Sequence, residues 1–187
     1  MALQTSGAIS LNDIHVEAGG SSGTTVSLGD SDIRAVAGSA SGAAAIGSCY
    51  GATVVTVTQA TQTGPGFSRR GFYDDSNIGS VSPTGARGVN LNIIEDLARV
   101  NASSGLFFQF EVVYSTAIPA NEYSRISFVA NGAVTVLTTA ESSTTTTRGG
   151  YGRRWSWTGA AGLDTTEMSN ITTEWDGSGD IKVAVKP

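Results

Sequence analysis

The sequence predicts a mainly β protein: a β-sandwich or jelly-roll-like domain over residues 52–187, preceded by a small N-terminal segment, residues 1–51, with two or three short capped helices. Three observations lead there. Runs rich in Val, Thr, Ile and Phe recur after Gly51, and no long helical periodicity separates them. Charged residues make up only 14 % of the chain while glycine fills 24 of 187 positions, a composition suited to tight turns and to assembly with other chains. The first forty residues also state one phrase twice, Ser10-Leu11-Asn12-Asp13 and then Ser27-Leu28-Gly29-Asp30.

The repeated phrase reads as a helix start. A serine followed three residues later by an acid makes a capping box, in which Ser10 or Ser27 accepts from the first turn and Asp13 or Asp30 reaches back to the serine N–H. Gly19-Gly20 stops the first helix, and Gly38 the second, after Ile33, Val36 and Ala37 at helical spacing. "SGAAAIGSCYGA" reads as a degenerate third copy ending at Tyr50-Gly51. Helices this short are marginal alone in water, so the segment must pack on itself or on a partner. Ile9, Leu11, Ile14, Leu28, Ile33 and Val36 supply the apolar surface for such docking.

The strands follow in order. "ATVVTVTQATQT", residues 52–63, reads as one strand with partly continuous apolar positions, and Gly64-Pro65-Gly66 as a turn. Residues 68–88 read as a long loop with a short strand near Phe72. In "VNLNII", Val89, Leu91 and Ile93 alternate with Asn90 and Asn92. "GLFFQFEVVYS" places Leu106, Phe108, Phe110, Val112 and Tyr114 on one face. Asn131-Gly132 predicts a tight primed hairpin. "YGRRWSW" sets Tyr151, Arg153, Trp155 and Trp157 on one side, residues 162–175 read as a short helix or an irregular loop, and "DIKVAVKP" closes with Ile181, Val183 and Val185 inward. Seven or eight strands result.

Chemistry is sparse. A net charge of −5 and a pI near 4.7 argue against a nucleic-acid partner. No apolar run is long enough to span a membrane, and the opening "MALQTSGAIS" lacks the basic and apolar regions of a secretory signal. The single His15 has no second ligand or nucleophile at a useful spacing, and Cys49 has no recognisable base and no disulfide partner. Asp176 and Asp180 in "WDGSGD" form a weak calcium candidate without the alternating oxygens of an EF-hand loop. No metal, cofactor or enzymatic activity is therefore expected. Tyr151, Arg153, Arg154, Trp155 and Trp157 are the residue types of a receptor or subunit contact, or of a glycan-stacking face; a strand with core Trp and rim Arg is the plain alternative.

"SGAISLNDI", then "VSLGDSDIRAVAGSASGAAAI" and a terminal "YGA", resemble the N-terminal segment of tailed-bacteriophage virion proteins, especially tail and fibre-type appendage subunits. "GSVSP", "TGARGVNLNII" and "RRWSWTG" are loosely similar to the β-rich module that follows such heads. The resemblance implies a virion location after assembly in the host cytoplasm. The implied partners are other virion proteins and further copies of itself, a trimer if it is a fibre. It also implies a structural rather than catalytic role. Capsid decoration and host-surface glycan binding are the other readings.

Overall fold

The computed structural model describes residues 2–74, 77–86, 89–101, 105–114, 125–138, 143–145, 151–156 and 165–186. The protein is mainly β, with antiparallel sheets and few helices. Helix α1 (Leu11–Glu17), helix α2 (Ser31–Ala37) and a 3₁₀ turn (Ile46–Cys49) come first. Then follow β1 (Thr53–Thr58), β2 (Ala60–Gly64), β3 (Phe67–Tyr73), β4 (Ser80–Ser82), β5 (Gly85–Ala86), β6 (Val89–Asn101) and β7 (Gly105–Tyr114). The rest are β8 (Arg125–Ala130), β9 (Ala133–Thr138), β10 (Ser143–Thr145), β11 (Tyr151–Ser156), helix α3 (Thr165–Glu174) and β12 (Asp180–Lys186). One sheet runs β4-β1-β12-β8-β9; the other runs β10-β11-β7-β6-β3-β2, with β5 beside β6.

Several expectations change. The segment 52–63 is two strands in two sheets, broken at Gln59, and the expected loop 68–88 contains β3, β4 and β5. Gln59 is buried at this crossing. Its Nε2 donates to the carbonyls of Glu174 and Ser178, and its Oε1 accepts from Gly177 N–H. The simple alternation of 89–94 fails because β6 bulges: Leu91 pairs Tyr114 while Ile93 pairs Val113, so Asn92 is the extra residue. Leu91 and Ile94 are the positions buried in the core. The hairpin at Asn131-Gly132 forms as expected, with φ of 49° and 75° at the two turn residues. Residues 165–174 are helical, which settles the open reading of that segment.

One core joins both sheets. Val55, Val57, Ile126, Phe128, Ile181, Val183 and Val185 of the first sheet meet Phe72, Ile94, Phe110, Val112 and Trp155 of the second, with Ile171 and Trp175 from the α3 side. Phe110, Phe128 and Trp175 form its aromatic centre, with ring centroids 5.0–5.7 Å apart and Trp175 edge-on to both Phe rings. The Trp155 indole N–H donates to Thr138 O at 2.9 Å, tying β11 to β9 across the sheets.

The N-terminal segment covers the other face of the first sheet. Leu3, Ile14, Ile33, Val36, Ala37, Ala44 and Cys49 form a second buried cluster with Val54 of β1 and Ala184 of β12. Both faces of β1 and β12 are thus buried, which explains the continuous apolar run "ATVV". Polar straps reinforce the contact. Arg125 donates to the carbonyls of Ala37 and Val36 at 2.5 and 2.8 Å, Ser127 Oγ to Ala35 O at 2.5 Å, and Lys186 Nζ to Ser48 O at 2.6 Å. A cation at the carbonyl end of α2 is also favoured by the helix dipole.

Candidate functional site

The repeated phrase takes two forms. At the first copy Ser10 is the N-cap of α1: its Oγ accepts from Asp13 N–H at 3.1 Å while Asp13 Oδ2 accepts from Ser10 N–H at 2.9 Å. At the second copy Ser27 caps no helix. Ser27 N–H still donates to Asp30 Oδ2 at 2.9 Å, but Ser27 Oγ accepts from Gly29 N–H, and α2 starts only at Ser31 with Asp30 as N-cap and no side-chain cap bond. The expected second capping box is instead a tight turn before the helix. The bonds from Ser10 hold the Asp13 carboxyl below its usual range.

Of the residues expected to dock, Ile14, Ile33 and Val36 are buried within the chain against the first sheet, and no partner can reach them. This corrects the docking assignment for those three. Ile9, Leu11 and Leu28 are only partly buried at the margin of that cluster. Val16 is 38 % exposed and is the large hydrophobic residue most open to solvent among those described. Ile9 and Val16 line one groove of about 530 Å³ together with Ala2, Leu3, Ala8 and Asn12. Helical spacing could not separate inner from outer positions: Ile9 and Leu28 precede the helices, and Leu11 and Ile14 are three residues apart on α1 yet only Ile14 is fully buried.

The arginine–tryptophan strand is also corrected. Trp155 is in the core and hydrogen-bonded, so it offers no stacking face. Arg153 and Arg154 are half-buried on β11, which Tyr151 begins, and Trp157 lies outside the described residues. Asp176 and Asp180 flank the turn into β12. Asp176 Oδ1 accepts from Ser178 N–H and Oγ, both at 2.8 Å, and these bonds, with the nearby Arg70 charge, hold its carboxyl below the usual range. Among the described residues no three of His, Cys, Asp and Glu gather as a metal-holding group. Cys49 is buried, which pushes its thiol pKa up and away from the thiolate.

A cleft of about 370 Å³, which no single local sequence pattern announces, lies between the β3–β4 turn, β4 and the start of β6, rimmed by Asp74, Asn77, Ser80, Thr84, Asn90 and Asn92. Its floor is Phe72, Val81 and Leu91. Gly79 makes the geometry accessible: its φ is +62°, and a Cβ there would lie 2.4 Å from Gly71 O and 2.5 Å from Thr58 O. The signal was present as the asparagines of "SNIGS" and "VNLNII", which read as turn and outer-face residues.

No protein-family model, curated protein or solved structure matches the chain.

Proposed function

We propose that this chain is a non-enzymatic structural subunit of a bacteriophage virion, a tail, tail-tip or fibre-type appendage protein whose two sheets are the layers of a β-sandwich. The observation that carries the reading is the groove of Ile9 and Val16 beside the first capping box. The first Ser-Leu-x-Asp segment and its helix are tied down by Val54 N–H donating to Glu17 Oε1 at 2.9 Å and by the Tyr50 hydroxyl donating to Gly7 O, and they present a small groove with an apolar base and a polar rim. Burial of such a patch against a neighbouring virion protein supplies the docking energy, about 25 cal/mol per Å² of apolar surface. Further copies of the chain assemble around a closed symmetry axis.

The test is quantitative mass spectrometry of particles of the phage that encodes the chain, with antibody labelling seen by electron microscopy. A few copies at one end of the tail are expected. Hundreds of copies over the head would replace this reading with capsid decoration, and absence from the particle would overturn it. Val16→Glu, at an exposed position, should remove the protein from particles while leaving its melting temperature unchanged.

A further inference from the structure

We propose that the cleft between the β3–β4 turn, β4 and β6 is a binding site for a neutral carbohydrate, a hexopyranose or its N-acetylated form. Its volume of about 370 Å³ is at the small end of ligand clefts. The rim holds three amides, two hydroxyls and one carboxylate, from Asn77, Asn90, Asn92, Ser80, Thr84 and Asp74. Among the described residues none of these six side chains makes a hydrogen bond, ion pair or ring contact with another part of the protein. So many donors and acceptors in one concavity, unused by the fold, are what a polyhydroxylated ligand requires. Each amide offers a donor and an acceptor side by side, the pattern that matches two neighbouring hydroxyls.

Charge narrows the ligand further. Among the described residues the lining includes one carboxylate and no Lys, Arg or His, which disfavours phosphates, sulfates and acidic sugars. A single carboxylate is also too little charge for a tight divalent-cation site. The apolar floor of Phe72, Val81 and Leu91 meets the C–H face of a sugar ring, where an ion would be poorly solvated. Position is fixed by the backbone. The β6 bulge re-aims the chain at Asn92, Asn77 holds φ of 50°, and Gly79 sits close against the carbonyls of Gly71 in β3 and Thr58 in β1.

This site adds a ligand to the appendage reading without resting on it, because sugar binding is read on the isolated chain and particle location by mass spectrometry. The experiment is NMR on the full ¹⁵N-labelled chain, titrated with the methyl glycosides of glucose, galactose, mannose and N-acetylglucosamine, with and without EDTA. At least one glycoside should shift the amides of residues 77–84 and 90–92 with millimolar affinity, unchanged by EDTA. Asn90→Ala and Asn77→Gly, the second of which keeps the backbone conformation, should each weaken binding at least tenfold with the melting temperature unchanged. The wild-type shift map stands as a test even if a variant fails to fold. No shifts with any of the four, shifts confined to other residues, or full affinity in both variants would overturn the proposal. Loss of binding in EDTA would overturn it too, and would assign the cleft to a cation.

Discussion

Ser10 and Ser27 hold equivalent places in the repeated phrase, yet removing their hydroxyls should have unequal effects. Ser10→Ala deletes an N-cap and should cost about 1 kcal/mol, whereas Ser27→Ala, which loses only a turn bond, should cost less than half of that, both read from urea unfolding. The difference traces to position three of the phrase. Asn12 continues the first helix, while Gly29 costs about 1 kcal/mol in a first turn and delays the second helix to Ser31. The acids add a pH dependence. The folded pKa values of Asp13 and Asp176 lie below their unfolded values, so their contribution is present above about pH 4 and disappears as pH falls through the folded pKa. Asp13→Asn should therefore narrow the gap in melting temperature between pH 7 and pH 3. Trp155→Ala should cost about 3–5 kcal/mol in stability, the signature of a core residue and not of a contact surface.

Among the elements, the straps and the strand break matter most. Arg125→Met removes both donors to the last carbonyls of α2; a loss of about 2–3 kcal/mol is expected, with faster amide exchange confined at first to residues 31–39. Arg125→Lys should restore only part of it, since one ammonium cannot reproduce the planar fork. Gln59→Leu strands the carbonyls of Glu174 and Ser178 and should destabilise the turn that carries β12. Local rules made some elements legible. The Asn131-Gly132 turn and the alternation of β12 are properties of a few adjacent residues. The break at Gln59 and the bulge at Asn92 were not legible, because each depends on a partner strand far away in sequence. The stacking role of Trp155 was not legible for the same reason: whether its ring faces solvent or the core is decided by the first sheet packed over it, where Thr138 O accepts its N–H.

At the scale of the molecule, the first fifty residues are a lid of short helices that the first sheet needs as much as they need it. Without them Val54, Ser127 and Ala184 lose their cover, so a chain starting at residue 52 should associate or precipitate in size-exclusion chromatography. The asparagine cleft became visible only at this scale, since it takes the β3–β4 turn and β6 together to bring Asn77 to Asn90 and Asn92. The same long-range construction has a consequence for synthesis. Strand β12 lies between β1 and β8, and its Val183 registers with Val55 on one side and Phe128 on the other. A nascent chain leaving the ribosome holds both flanking strands long before the strand that joins them emerges. Products of premature termination therefore lack the middle of the sheet and present two unmatched hairpin-sized fragments, whose unpaired edges favour aggregation.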